Sequence, residues 1–247
     1  MADSEERLLR PGSAGMHLKF DLHSHSFFSF DGISSPEEMV AVAKSKGLNG
    51  LAITDHDNCD SVDYLMERGL MREDGLPVDG FLMIPGVEVS TAEGHLLCLG
   101  ARLLDDLKGV PALDVCRLIH EAGGLAVPPH AYDRFRAGIR EEVLNTLPMD
   151  AMEVFNAATT LDRHNRQALQ YAKGKNMGMI ASSDAHHAEA VGTAYTILET
   201  DKLSLDSVLT HLPNSHLTVE NYQGFLASLK KAFANVRRLG RRKEIQG

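Results

Sequence analysis

Short apolar stretches that end in histidine or carboxylate residues recur along this chain, and most are followed by a helix-patterned stretch. Residues 18–23, 50–55, 81–88, 95–99, 125–130, 151–155, 177–182 and 194–198 read as strands, the third kinked by Pro85-Gly86. A helix opens at Ser35-Pro36-Glu37-Glu38, where Ser35 is an N-cap, Pro36 takes the first helical position and acids fill the first turn, and it stops at Gly47. Residues 60–72, 112–122 and 161–173 read as further helices, the second stopped by Gly123-Gly124. This alternation predicts an α/β protein with a largely parallel sheet. Seven or eight such units in 247 residues suit a closed barrel. An open doubly wound sheet is the competing layout, but no Gly-rich phosphate loop follows the first strand.

Composition narrows the class. The hydrophobic fraction of 43% and the charged fraction of 24% allow a sizeable core and argue against disorder. Residues 1–16 are polar or small and lack the apolar stretch of a secretion signal, so they read as a flexible leader. No apolar run approaches a membrane span. A net charge of −9 disfavours a general nucleic-acid-coating protein, although cations bound at a carboxylate-rich site would reverse the local sign. Cys59, Cys98 and Cys116 have no metal-ligand spacing and cannot all pair, which points to a reducing, cytoplasmic setting. Phe225, Leu229, Phe233 and Val236 share one face of an expected closing helix over residues 225–239, and a basic tail follows at 241–247.

Among the 12 histidines, those at strand ends carry the chemistry. His23 and His25 end the first strand at i and i+2, which places both imidazoles on one face where they suit a divalent metal. Asp55, His56 and Asp57 end the second strand, Glu88 the third and His130 the fifth; Asp184 and His186 end the seventh, again at i and i+2. The carboxyl ends of barrel strands open onto one rim, so these groups are expected to converge there on metal. His95 opens the fourth strand instead, and a local bend is expected to bring it in.

Asp21-Leu22-His23-Ser24-His25, Phe30-Asp31-Gly32, Thr54-Asp55-His56, Gly86-Val87-Glu88, Pro129-His130 and Ser183-Asp184-Ala185-His186 resemble the motifs of the PHP (polymerase and histidinol phosphatase) phosphoesterase family over about residues 18–200. The resemblance implies a distorted (β/α)7 barrel, here a single domain over residues 17–240, with a cluster of three divalent metal ions. It implies that His23, His25, Glu88 and Asp184 hold the first metal, that Glu88 bridges to His95 and His130 at the second, and that Asp31, His56 and His186 hold the third. The nitrogen-rich donor set favours zinc, manganese or iron over magnesium or calcium.

The expected activity is hydrolysis of a phosphate monoester or nucleotide-type phosphoester by a metal-bound hydroxide, with Glu88 and Asp184 at its centre. Asp55 and Asp57 are candidates for outer support or proton transfer, or equally for caps of the next helix. Arg134, Arg136 and Asn156 are candidates to bind substrate, the arginines by bidentate contact with phosphate oxygens. Partners are therefore a small phosphorylated substrate or a short oligonucleotide, with no membrane and no obligate protein partner. The family's members include phosphatases and enzymes that trim oligonucleotide ends, but no sizeable inserted domain fits between His95 and His130 here. Two alternatives are a barrel metallohydrolase of amidohydrolase type, disfavoured by the third ligand set, and a non-catalytic RNA-processing scaffold, disfavoured by the full set of ligand types.

Overall fold

The computed structural model describes residues 15–103, 106–159 and 161–221. The expected helix over 225–239, the basic tail and residues 1–14 of the expected leader lie outside them. The chain runs through β1 (Met16–Asp21), α1 (Pro36–Ser45), β2 (Gly50–Ala52), α2 (Asp60–Glu67), β3 (Leu82–Ile84), β4 (Gly86–Ser90), β5 (His95–Leu99) and α3 (Ala112–Glu121). It continues through β6 (Leu125–Val127), α4 (Glu141–Leu144), β7 (Ala151–Asn156), α5 (Asp162–Lys175), β8 (Gly178–Ser182), β9 (Tyr195–Thr200), α6 (Leu205–His211) and β10 (Leu217–Val219). The fold is thus mixed α/β. The local signals act as expected at α1: the Ser35 hydroxyl accepts from Glu38 N at 3.2 Å, and the Glu38 carboxylate accepts from Ser35 N at 2.9 Å, a reciprocal capping box.

The strands form three sheets, ordered β10-β9-β1-β2-β3, β4-β5-β6 and β7-β8. The β1–β2, β2–β3 and β7–β8 pairs are parallel, while β1–β9, β9–β10, β4–β5 and β5–β6 are antiparallel. This corrects the expectation of a largely parallel sheet. The cause at β4–β5 is plain: only residues 91–94 join Ser90 to His95, and a parallel crossover needs about a dozen residues or more. The strand expected over 81–88 is broken at Pro85, which has no N–H to give a ladder; β3 and β4 lie in different sheets on either side of it. No ladder among the described residues closes the three sheets into a continuous barrel. Isolated bridges outside these ladders join Ser24 with Ala185 and His56 with Glu88 of β4.

All three sheets contribute to one buried apolar cluster. It contains Phe20 of β1, Ala52 of β2, Leu82 and Ile84 of β3, Leu97 and Leu99 of β5, Val127 of β6, Ile180 of β8 and Leu198 of β9. A larger cluster, with Met39 and Ala43 of α1, Val62 and Leu65 of α2, Val115 and Ile119 of α3, and Ala168 and Ala172 of α5, packs the helices onto the sheets. Removing a fully buried ring such as Phe20 costs about 3–5 kcal/mol. The polar strand ends are held in place against this apolar support. Among the described residues, no helix is long and apolar enough to cross a membrane.

Candidate metal centre

Beyond β1 the backbone stays extended through His25, fastened on both sides. His25 N donates to the Ala185 carbonyl at 2.7 Å, Asp184 N to the His23 carbonyl at 2.9 Å, and Thr54 N to the Ser24 carbonyl at 2.8 Å. The next loop doubles back tightly at Gly32, where a side-chain carbon would lie 1.9 Å from the Ser26 carbonyl oxygen, and so presents Asp31. His130 and Asp184 adopt left-handed backbone conformations, with φ of 32° and 49°. Side chains in that region carry strain, and such strain clusters at functional sites.

These segments enclose a cavity of about 380 Å³ lined by His25, Asp31, His56, Glu88, His95, His130, Asp184 and His186. His23 lies just behind, fully buried. All nine residues expected as ligands are therefore brought together. Glu88 is the hub. Its Oε1 meets His95 Nδ1 at 2.8 Å and His130 Nε2 at 3.0 Å. Its Oε2 meets His25 Nε2 at 3.1 Å, His23 Nε2 at 3.2 Å and His56 Nδ1 at 3.4 Å. Asp184 Oδ1 lies 3.4 Å from His25 Nε2 and 3.7 Å from His23 Nε2. Asp31 Oδ2 lies 2.8 Å from His186 Nε2 and 3.8 Å from His56 Nε2. His56 thus stands between Asp31 and Glu88 rather than in an isolated third group.

His95 arrives without a bend. Because β5 runs antiparallel to β4 with Ser90 opposite His95, the start of one strand shares an edge with the end of the other. The ring stands one diagonal step from Glu88.

Sequence reasoning missed Glu153, in the middle of β7 and almost fully buried. Its Oε1 accepts from His23 Nδ1 at 3.1 Å, and its Oε2 accepts from His130 N at 2.7 Å and Asn156 Nδ2 at 3.0 Å. The available signal was an acid inside the apolar run 151–155, which requires a buried partner. Because a carboxylate only accepts, His23 carries its proton on Nδ1 and turns the bare Nε2 lone pair toward Glu88 and His25. His186 is fixed the same way, its Nδ1 donating to the Asp184 carbonyl at 2.9 Å. His25 Nδ1 faces the Ser29 hydroxyl at 3.3 Å.

Lone pairs so directed at one another and at carboxylates attract protons or cations. In the metal-free protein burial opposes charge on His23, but Asp184, Glu88 and Glu153 outweigh it and hold the imidazolium well above its ordinary range. Burial likewise opposes charge on His25, which Asp184 and Glu88 nevertheless raise to about 9. Burial, with His25 beside it, pushes His186 down to about 4. Burial also works against the ionised forms of Glu88 and Asp184, yet His23 and His56 hold the first well below the carboxylate range, and Arg136 and His23 the second. Four overlapping trios have ligand atoms within 4.8 Å of one another: His25, His56 and His186; His23, His25 and Asp184; His23, Glu88 and His130; and His56, Glu88 and His95. This donor set of imidazoles and carboxylates fits divalent metal.

The remaining candidates divide. Arg136 lines the cavity and donates to Asp184 Oδ2. Asn156 is buried and donates to the same oxygen at 3.1 Å, so it supports Asp184 rather than facing the opening. Asp55 is buried and accepts from Ser26 N and Oγ, both at 2.7 Å. Asp57 lies outside the cavity lining, accepts from Ser90 N at 2.6 Å and caps no helix; the residue before α2 is Cys59. Arg134 is exposed and does not line the cavity.

The PHP-associated family model PHP_C matches residues 162–215. An uncharacterized protein of Methanocaldococcus jannaschii is 32% identical over 151 residues, covering 57% of this chain and 82% of that protein. A 5′-3′ exoribonuclease of Haemophilus influenzae is 41% identical over 76 residues, which is 31% of this chain and 25% of the relative. Among solved structures, a two-domain Bacteroides vulgatus protein containing a predicted PHP-like metal-dependent phosphoesterase superposes with a TM-score of 0.67 at 22% identity, covering 95% of this chain and 75% of the other. The chain belongs to the PHP-domain family.

Proposed function

We propose that the chain is a metal-dependent phosphoesterase that hydrolyses a phosphate monoester or nucleotide-type phosphoester in this cavity. The observation that carries the reading is one buried carboxylate, Glu88, met by five imidazoles, at least one of which, His23, has its proton held on the far ring nitrogen by an outward acceptor. Without metal, protons on His23 and His25 balance the buried carboxylates; divalent ions would take the place of those protons. We take the three sheets as arcs of one distorted (β/α)7 barrel, a reading supported by the bridges Ser24–Ala185 and His56–Glu88.

His23, His25, Glu88 and Asp184 would hold one divalent ion. Glu88 with His95 and His130 would hold a second, and Asp31 with His56 and His186 a third. Zinc, manganese and iron suit these donors. Bound ions of this kind neutralise phosphate oxygens and acidify water. Glu153 keeps His23 in the tautomer that presents Nε2, and its bond to His130 N secures the strained backbone there. Arg136 is placed to swing from Asp184 onto the non-reacting phosphate oxygens, which a guanidinium grips bidentately. Asp55 is assigned to the frame rather than to proton transfer, because Ser26 occupies both its oxygens. The similarity to a 5′-3′ exoribonuclease over 76 residues makes a nucleotide-bearing phosphoester a natural member of the substrate class.

The test is turnover of p-nitrophenyl phosphate and a nucleotide panel by chelator-stripped protein before and after Mn²⁺ or Zn²⁺ is restored, beside an amide and lactone panel. Metal-dependent release of phosphate that Glu88→Gln abolishes supports the reading. Turnover of amides or lactones alone, or of none of the panel, contradicts it.

A further inference from the structure

Two phenyl rings stand in solvent at this cavity. Phe30 is 63% exposed and Phe135 is 81% exposed, and both line it. Two exposed rings lining one polar pocket offer flat apolar faces on which a ligand ring can stack. Neither ring sits on a loose segment. Phe30 precedes the tight Gly32 turn and rests on the His56 imidazole, with centroids 5.0 Å apart and planes 25° from parallel. Phe135 is the central residue of a 3-10 turn, Arg134–Arg136, whose cap Asp133 accepts from Phe135 N at 3.0 Å and from Thr159 Oγ1 at 3.0 Å. The turn is closed by Ala137 in a left-handed conformation, φ 52°. The next residue, Arg136, lines the same cavity and donates to Asp184. One hydrogen-bonded turn therefore presents an apolar ring to solvent and a cation to the cluster.

We propose that Phe30 and Phe135 form a base-stacking subsite at the cavity mouth, so that the substrate is a nucleoside phosphate or an oligonucleotide end. Its phosphate enters among the imidazoles and carboxylates while its base lies on the exposed rings. The proposal rests on the phosphoester reading above. A sugar phosphate has no π face and would leave both rings in water. An aryl phosphate has its ring bonded through the ester oxygen, which draws the ring down into the imidazole cluster. In a nucleotide the ribose separates phosphate from base, matching a cavity whose polar lining is mostly buried and whose two phenyl rings are exposed. Phenyl rings carry no hydrogen-bonding group, so stacking here accepts any base, with purines favoured over pyrimidines by their larger face.

The experiment compares adenosine 5′-monophosphate, ribose 5-phosphate and phosphotyrosine as substrates of the Mn²⁺-loaded full chain, and separately titrates 2-aminopurine riboside 5′-monophosphate by its fluorescence. The wild type should prefer the nucleotide to ribose 5-phosphate, mainly through KM, and should quench 2-aminopurine on binding. Phe135→Ala and Phe30→Ala should each reduce that preference about tenfold and weaken the quenching, as loss of one stacking partner does. Phe135→Trp should keep the preference. The introduced indole is the chain's only one, because the sequence has no tryptophan, and the nucleotide should quench it. The proposal is overturned if the ratio survives both alanine substitutions, if ribose 5-phosphate matches the nucleotide in the wild type, or if phosphotyrosine exceeds it. Quenching by the 2-aminopurine nucleotide with no hydrolysis of any ester would uphold the subsite while refuting the phosphoesterase reading. Hydrolysis without quenching would do the reverse.

Discussion

Two kinds of buried carboxylate stand side by side at these strand ends. Asp21 and Asp55 are fully buried and saturated by hydrogen-bond donors. Asp21 accepts from Ser183 N at 3.0 Å, Ser183 Oγ at 2.5 Å and Gly192 N at 2.7 Å; Asp55 accepts from Ser26 N and Oγ. Glu88 and Asp184 are equally buried, yet they face imidazole nitrogens, and at Asp184 a guanidinium as well. The first pair fastens the main chain one residue away from Asp184 and His25, while the second pair faces the cavity. Burial of an acid does not itself mark a site; what its oxygens meet decides the matter.

The largest expected contrast is in activity. Asp184→Asn or His25→Ala should lower metal-dependent turnover by more than about a hundredfold, since even groups that merely orient a ligand are worth about 10–100-fold. Circular dichroism of either variant should match the wild type. Near-normal turnover at saturating metal would erase the distinction between the two kinds of carboxylate. Glu153→Gln should come next, weakening metal affinity about 10–100-fold by releasing the His23 tautomer, as read by competition with a chelating dye.

Acidity sharpens the contrast further. In the metal-free protein the raised His25 contributes stability that is complete below about 6.5 and lost as pH climbs through about 9. The depressed Glu88 contributes stability that is present above 4.5 and lost as pH falls below it. Chelated protein should therefore melt highest between these limits. Metal affinity should rise with pH over the same upper range, by about tenfold per pH unit for each proton displaced. Near pH 7, calorimetry in buffers of different ionisation enthalpy should show protons released on binding; zero release would mean that the protonated His25 does not ligate.

The smallest effect falls on the fasteners. Asp55→Ala strands the Ser26 N–H and should cost about 1–3 kcal/mol. At this chain length each kcal/mol corresponds to a fall of about 2–4 °C in melting temperature. Metal stoichiometry should be retained.

Much of this was legible in the residues. The i, i+2 pairs His23/His25 and Asp184/His186 at strand ends pointed to a shared cavity because strand periodicity alone fixes their common face. The capping signals of α1 were legible for the same reason: they depend on neighbours in sequence. What escaped depends on pairing partners far along the chain. The antiparallel β4–β5 hairpin was visible in principle, since residues 91–94 cannot hold a crossover, and recognising it would have removed the apparent misplacement of His95. Glu153 is one acid in a hydrophobic strand, and its partners His23 and His130 lie 130 and 23 residues away along the chain. Asp55 and Asp57 cannot be told from site acids by type, because only the fold shows that Ser26 N and Oγ occupy both oxygens of Asp55 and that Ser90 N donates to Asp57.

The central claim is that this cavity gathers cations and that the neighbouring saturated acids do not. An anomalous difference map from crystals of the full chain soaked in manganese tests it most directly. Peaks within ligand distance of Glu88 and Asp184, with none at Asp21 or Asp55, are predicted. An empty cavity in crystals that bind manganese elsewhere would contradict it.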